Sequence, residues 1–231
     1  MSFASSSLLI LIGMGVVSFA ICGIPFGLVF AKLFCNTDIR AYGSGNIGMT
    51  NVARTCGKAL AAATFICDAG KGLLCLSISR MLMRALALTS PESFAYFCDA
   101  RFIAIAIAWL YLVCVFGHIF SPFLKGKGGK GISVGFGAGL AIDPIMALSA
   151  LAFFFVLTFI TKRVSVGSLG ACVALPLAAY LRGCSQAQVV PIVLVALTVI
   201  WAHRTNILRL VRGEEPAFSV HRSASPRPKG N

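Results

Sequence analysis

Long apolar stretches follow one another along almost the whole chain, separated by short polar loops. They run approximately over residues 7–31, 59–79, 102–117, 131–143, 145–161, 166–181 and 187–202. A helix needs about 20 mostly apolar residues to cross the roughly 30 Å hydrocarbon layer of a bilayer. The pattern therefore predicts an all-α polytopic membrane protein with about seven transmembrane helices. The fourth stretch is the weak one, because about 13 residues rise only about 20 Å, and a re-entrant segment is the alternative there.

The composition agrees with a bilayer as the solvent. Hydrophobic residues make up 58% of the 231 positions and charged residues only 12%, which is too little charge to cover a globular surface in water. The net charge of +13 lies in short loops rather than on one folded face, so we expect no nucleic-acid partner. The nine cysteines lack paired metal-ligand spacing and the seven acidic residues are scattered, so we predict no metal and no other cofactor.

The basic residues divide unevenly between the two sides of the predicted bundle. With the N-terminus outside, the inner loops and the tail collect fifteen of the twenty Lys and Arg residues, the outer side has four, and Lys71 lies within a span. The positive-inside rule then places the C-terminus and three polar loops in the cytoplasm. We interpret residues 1–215 as one integral-membrane domain and residues 216–231, rich in Ser, Pro and Arg, as a basic disordered cytoplasmic tail.

The first inner loop, residues 43–54, reads GSGNIGMTNVAR. Its Gly-x-Gly-x-x-Gly pattern is typical of dinucleotide-binding proteins, with Asp68 in the place of the acidic residue. That fingerprint requires a preceding strand, however, and here an apolar helix-length run precedes it, so we reject a nucleotide site.

Polar residues of the same loop predict an anion site instead. Ser44 is a good N-cap, and a helix beginning after it would align Asn46, Thr50 and Arg54 on one face. Asn51 would lie beside them. A helix N-terminus together with an arginine binds anions; an ordinary polar loop with a capped helix is the alternative.

The second inner loop, residues 117–131, reads GHIFSPFLKGKGGKG. Counted from Lys130, a Walker A loop requires Gly at position 124 and Ser or Thr at position 131. Leu124 and Gly131 occupy these positions, so the loop is not a Walker A loop. The glycines beside Lys130 would still let backbone amides approach a phosphate while the ammonium adds charge. The glycines concerned are Gly128, Gly129 and Gly131.

Further polar residues lie in or at the ends of the later spans. Asp68 and Lys71 stand three apart inside the second span, where they form an internal ion pair or orient the loop groups above them. His203 and Asn206 share one helical face at the inner end of the last span. Arg209 continues that face, which favours substrate contact over a purely structural histidine.

Together these segments resemble the bacterial acyl-phosphate:glycerol-3-phosphate acyltransferases, an integral-membrane family that makes lysophosphatidic acid. Four motifs stand in the family's order, at residues 44–54, 68–72, 117–131 and 203–206. The resemblance covers the chain from about residue 32 to residue 214, and the sequence departs from the family pattern at residues 126, 133, 134 and 205.

The resemblance implies a seven-helix protein of the bacterial inner membrane with an external N-terminus and a site at the cytoplasmic face. By the same resemblance the residues that contact the phosphorylated substrates are Ser44, Arg54, Lys130, Ser168, His203 and Asn206. The implied reaction transfers an acyl group from acyl phosphate to the 1-hydroxyl of sn-glycerol 3-phosphate. We take Ser44, Lys130 and His203 as catalytic residues, and we expect a monomer among membrane lipids.

An acyl phosphate is already an activated mixed anhydride, so the enzyme must chiefly hold two anions together. Arg54 and Lys130 are candidates for that task, and amides of the glycine loop are candidates to meet an oxyanion on the acyl carbonyl. His203 or His118 could act as general base, whereas the family is thought to let a substrate phosphate take the proton. The alternative functions are a transporter of anions or organophosphates and a membrane scaffold without activity.

Overall fold

The computed structural model describes residues 3–217, with side chains from residue 6 onward. Within these residues the regular structure is helical, and no β-strand occurs. Short 3-10 helices cover Ile39–Ala41, Ala95–Cys98 and Pro122–Leu124. The α-helices are α1 (Phe3–Gly23), α2 (Phe26–Cys35), α3 (Met49–Thr55), α4 (Lys58–Thr89), α5 (Ala100–Ile119), α6 (Ile132–Ile142), α7 (Pro144–Thr161), α8 (Val164–Leu181), α9 (Gln186–Ala202) and α10 (Arg204–Val211).

Each of the seven predicted apolar stretches is helical, but they differ in their capacity to cross a bilayer. Among the described residues, five helical segments are long and apolar enough to do so: Ser6–Cys35, Lys58–Thr89, Ala100–Leu124, Pro144–Thr161 and Val164–Leu181. Helices α9 and α10 meet the same criterion as a pair that is bent by 58°. Helix α6 has only 11 residues. The structure therefore gives five or six crossings by length and composition, and the count of seven stays a prediction that depends on α6.

Pro25 interrupts the first apolar stretch, which the sequence pattern predicted as one span. Proline has no N–H to donate and its ring collides with the preceding turn, so α1 ends at Gly23 and α2 begins at Phe26. Two carbonyls freed at the break find donors elsewhere in the bundle. Ser121 Oγ donates to the Gly23 carbonyl at 2.6 Å and Lys71 Nζ donates to the Ile24 carbonyl at 2.7 Å. These hydrogen bonds connect the first span to α4 and to the second inner loop.

Helix α6 reaches the side of the bundle that lies away from the polar loops. Asp143, directly after α6, pairs with Arg182, directly after α8, with 2.8 Å between Nε and Oδ2. Helix α6 itself lies against α4, where a Cβ on Gly137 would collide with the Ala69 carbonyl. Because α8 begins beside the polar loops and ends directly before Arg182, α6 ends at the far side as well. This arrangement favours a crossing over the re-entrant alternative.

Most of the predicted tail, residues 218–231, lies outside the described residues. The two residues before them, Pro216 and Ala217, are exposed, whereas Glu215 is buried against the helices. Glu215 is thus anchored at the boundary predicted between the domain and the tail.

Candidate active site

A cavity of about 460 Å³ opens where the polar loops and the end of α9 meet. Its mouth is polar and its interior, between the helices, is apolar. Ten of the twelve predicted site residues line it, namely Ser44, Asn46, Thr50, Asn51, Arg54, Lys130, Gly131, Ser168, His203 and Asn206. Gly128 and Gly129 are the two that do not. Residues distant in sequence thus share one cavity.

The first loop contributes Ser44 and Arg54, but its helix begins later than predicted. Helix α3 starts at Met49 with Gly48 at the N-cap, and no side chain caps it. The predicted N-cap role of Ser44 and the helical position of Asn46 are therefore wrong. The physical reason is a competing local turn, in which Asn46 Oδ1 accepts from the Gly48 amide at 2.9 Å.

Asn51 organises this loop through its amide group. Its Nδ2 donates to the carbonyls of Ile39 and Tyr42 at 3.0 and 3.1 Å, and its Oδ1 accepts from the Ser44 amide at 3.0 Å. Asn51 is only 1% exposed. The amide is committed to backbone groups, so Asn51 acts on the cavity by fixing the position of Ser44.

Arg54 borders the mouth and forms no ion pair with any other described residue. Burial lowers the pKa of its guanidinium, Glu215 opposes this effect, and the charge of Arg209 adds to it. An arginine still stays protonated in proteins. It is therefore a cation whose donors are available to a bound anion.

The glycine loop, residues 128–131, uses its backbone amides differently from the prediction. The amide of Gly128 donates to the Ile119 carbonyl at 2.9 Å and that of Gly129 donates to the His118 carbonyl at 3.0 Å. A Cβ on Gly128 would collide with the His118 carbonyl, and one on Gly129 would collide with the His118 ring. The prediction that these two amides meet a phosphate or an oxyanion is therefore wrong, because they are already bonded to the end of α5. Gly131, with a positive φ of 87°, turns the chain into α6 at the cavity wall.

Lys130 extends from this loop to Asn206, whose Oδ1 accepts from Nζ. Burial lowers the pKa of Lys130 to about 8; Glu215 acts in the opposite direction, while Arg209 and Arg54 add to the decrease. The ammonium thus lies among other cations and close to its own deprotonation near neutral pH.

Glu215 is a site residue that the sequence pattern did not predict. Its carboxylate accepts from Asn206 Nδ2 at 2.6 Å and from Arg209 Nε at 2.7 Å. Burial by itself would raise its pKa, but these hydrogen bonds, the nearby hydroxyl of Ser165 and the charge of Arg209 outweigh burial and lower it. The available signal was Gly213, which has a positive φ of 73° and turns the chain back over the end of α10. Glu215 thereby fixes the amide of Asn206 with its oxygen toward Lys130.

The two histidines at the cavity present different nitrogens. His203 Nδ1 lies 2.8 Å from the Val199 carbonyl, which can only accept, so Nδ1 carries the proton and Nε2 keeps a lone pair. His118 Nδ1 lies 3.1 Å from Lys71 Nζ, which can only donate, so its Nδ1 lone pair is already used. Of the two candidate bases, His203 is therefore the one with an available acceptor.

Lys71 is saturated within a buried cluster beside the cavity. Its three ammonium hydrogens match three acceptors: Asp68 Oδ1 at 2.6 Å, the Ile24 carbonyl and His118 Nδ1. Asp68 and Lys71 are 2% and 5% exposed. The pair joins α4, the break at Pro25 and α5, and it lies beneath the glycine loop.

The interior of the cavity suits a hydrocarbon chain. Side chains from α4, α6, α7, α8 and α9 line it, among them Phe65, Phe136, Leu151, Phe154, Leu175 and Val195. Among the described residues, no group of three or more His, Cys, Asp or Glu side chains is placed to hold a metal ion.

A bundle of apolar helices with a cationic mouth and an apolar interior defines an integral membrane protein that acts on amphipathic anions. Residues 12–213 match the model of the family described as glycerol-3-phosphate acyltransferase. The chain belongs to this family, and it is an integral membrane glycerol-3-phosphate acyltransferase of phospholipid synthesis.

Relatives and solved structures agree with the assignment. The chain is 36% identical over 200 residues to a glycerol-3-phosphate acyltransferase of Prochlorococcus marinus (strain MIT 9301), which covers 86% of this chain and 92% of the relative. For the enzyme of Desulfotalea psychrophila the identity is 38% over 202 residues, with 87% and 95% covered. The crystal structure of PlsY (YgiH) in its glycerol 3-phosphate form has 28% identity and a TM-score of 0.76, over 90% of this chain and 96% of that one. PlsY has also been solved in a lysophosphatidic acid form, with a TM-score of 0.74.

Proposed function

We propose that the chain transfers an acyl group from acyl phosphate to the 1-hydroxyl of sn-glycerol 3-phosphate, giving lysophosphatidic acid and phosphate. The observation that carries this proposal is one cavity that has Arg54 and Lys130 at its mouth and an apolar interior. Such a cavity holds two phosphates at the cations and a fatty chain between the helices. The forms of PlsY with glycerol 3-phosphate and lysophosphatidic acid support the same acceptor and product here.

Charge neutralisation and orientation are the enzyme's main contributions. Two phosphorylated substrates repel one another, and Arg54, Lys130 and Arg209 offset that repulsion. The hydroxyls of Ser44 and Thr50 border the same mouth and are donors for phosphate oxygens. Holding both reactants in position supplies several kcal/mol of the barrier, about 7–11 kcal/mol in well-oriented model reactions.

In the chemical step, the 1-hydroxyl oxygen of glycerol 3-phosphate attacks the acyl carbonyl carbon. The bond between that carbon and the phosphate oxygen breaks, and phosphate leaves with the electron pair. The hydroxyl proton passes to His203 Nε2, the available lone pair at the cavity, and from there to the departing phosphate. The first-turn amides of α6, next to Gly131, replace the amides of Gly128 and Gly129 as donors to the carbonyl oxygen.

The site faces the cytoplasm of a bacterial inner membrane in this proposal, and one chain suffices. The charge asymmetry of the loops supports the orientation. A single chain supplies every residue named at the mouth and in the interior, which supports a monomeric enzyme.

The test is an assay of the purified protein in detergent with acyl phosphate and radiolabelled glycerol 3-phosphate. We expect label in a lipid that comigrates with lysophosphatidic acid, and release of one phosphate per lipid formed. Lys130→Ala should reduce turnover by at least about 100-fold, the usual loss for one preorganised donor. Lys127→Ala is the matched control, because Lys127 is exposed and lies outside the cavity.

Two results would contradict the proposal. One is label that crosses vesicle membranes without entering lipid, which is the behaviour of a transporter. The other is label that enters lipid only with a thioester as acyl donor.

A further inference from the structure

Ser165 lies in the first turn of α8, and its hydroxyl stands out among the buried polar groups. The residue is 4% exposed and lines the cavity. Its Oγ satisfies hydrogen-bond geometry with no other atom of the described residues. A buried hydroxyl without a partner is unfavourable, so the position suits a ligand that supplies one.

The neighbouring serine differs in this respect. Ser168, one turn further along α8, donates its hydroxyl hydrogen to the Val164 carbonyl at 3.0 Å. That bond is internal to the helix and uses the only donor of Ser168. Of the two serines that face the cavity from α8, Ser165 is therefore the one with a donor to offer.

The surroundings of Ser165 indicate which part of a substrate it meets. Its hydroxyl lies close enough to the Glu215 carboxylate to help lower the pKa of that group, but it does not reach hydrogen-bond geometry with it, and Glu215 itself bonds to Asn206. A carboxylate repels phosphate but accepts hydrogen bonds from hydroxyl groups. Of the two proposed substrates, glycerol 3-phosphate carries hydroxyls and acyl phosphate carries none. This edge of the mouth thus fits the glycerol moiety.

We propose that Ser165 is a further substrate-binding residue whose hydroxyl hydrogen-bonds to a glycerol hydroxyl of glycerol 3-phosphate. The inference rests on the proposed function, since it assigns one substrate to one edge of that site. Ser165 donates to the glycerol oxygen, and the Glu215 carboxylate beside it accepts the hydrogen of the same or the adjacent hydroxyl.

The experiment compares Ser165→Ala with the wild type in the full chain. We expect the KM for glycerol 3-phosphate to rise about tenfold, as for the loss of one buried hydrogen bond, with the KM for acyl phosphate within twofold. Thr158→Val is the matched control. Thr158 Oγ1 is also buried without a partner, but Thr158 does not line the cavity, so its removal should leave both KM values unchanged.

Unfolding temperatures and direct binding separate the possible outcomes. An unchanged KM for glycerol 3-phosphate in a folded Ser165→Ala variant overturns the inference, and so does a rise confined to acyl phosphate. Calorimetric titration with glycerol 3-phosphate tests the same contact without turnover: the variant should bind about tenfold more weakly. If the wild type binds glycerol 3-phosphate but does not acylate it from acyl phosphate, the proposed acyl donor is wrong. The proposed contact of Ser165 with glycerol 3-phosphate is then still tested by the binding measurement.

Discussion

Arg54, Lys130 and Arg209 approach one another at the mouth of the cavity, with the carboxylate of Glu215 among them. Like charges in a half-buried site raise each other's free energy, and a bound phosphate relieves that cost. The two arginines keep their charge at any physiological pH. Lys130 does not, because burial lowers its pKa to about 8. We therefore expect pH to act on substrate binding through Lys130.

The KM for glycerol 3-phosphate should accordingly rise with pH. Below about pH 8 Lys130 is mostly an ammonium and holds phosphate. Above pH 8 it loses its proton, whereas the substrate phosphate, with a second pKa of about 6, gains no further charge. Between pH 7 and pH 9 we expect the KM to increase about tenfold, in line with the fall in the charged fraction. Initial rates at saturating acyl phosphate measure this change.

Lys130→Arg is the control for that profile. The guanidinium stays charged across the range, so the increase in KM should flatten even if the overall rate falls. An equally steep profile in this variant would assign the effect to another group.

At the scale of elements, the sequence predicted positions better than contacts. The apolar stretches located the helices, because burial in a bilayer requires long uninterrupted runs. Ser44, Arg54, Lys130, His203 and Asn206 were assigned to one substrate site by the resemblance to the acyltransferase family, and the structure brings them to one cavity. Their hydrogen-bond partners were not predictable. The amides of Gly128 and Gly129 bond to α5, a tertiary contact that no local pattern encodes.

Glu215 and Pro25 are two further residues whose tertiary contacts the sequence pattern did not predict. Glu215 was interpreted as the last residue before a tail. Its hydrogen bonds to Asn206 and Arg209 form only because the chain reverses its direction at Gly213, so its position in the sequence did not reveal them. Pro25 was included in a continuous span, although proline interrupts helices. The break became stable through Lys71 and Ser121, which lie far along the chain.

Gly128→Ala tests the contact between the glycine loop and α5. The added methyl group would collide with the His118 carbonyl, which is backbone and cannot turn aside. The loop must therefore shift, and Lys130 shifts with it. We expect the KM for glycerol 3-phosphate to rise at least about tenfold, with about 1–3 kcal/mol less stability against unfolding.

Gly70→Ala serves as the comparison. Gly70 lies in α4, and a Cβ there meets no atom within 4 Å. This change should leave the KM unaltered and keep or slightly raise the unfolding temperature, since alanine favours helices. Similar KM values in the two variants would mean that the loop does not need its close approach to His118.

At the scale of the whole molecule, the helical bundle has one end with the cavity and one end without it, and the helices run between these two ends. The cavity end carries the polar loops and most of the basic residues, whereas Arg182 and Asp143 pair at the other end. Helix α6 is too short to span about 30 Å by itself, but it starts inside the bundle at Gly131, beneath the glycine loop. We therefore expect the loop and the helix together to cover the distance that the helix lacks.

Protease protection of epitope tags in the intact chain tests this topology. Gly126 and Gly183 are suitable insertion points, because each is an exposed glycine with positive φ and nothing near its Cβ position. If α6 crosses and the cavity faces the cytoplasm, a tag after Gly183 is cleaved in spheroplasts and a tag after Gly126 only in inverted vesicles. Cleavage of both tags from the same side would show that the number of crossings between them is even and that α6 returns to the side it started from. Retained acyltransferase activity in each tagged chain ensures that the tags report on the native fold.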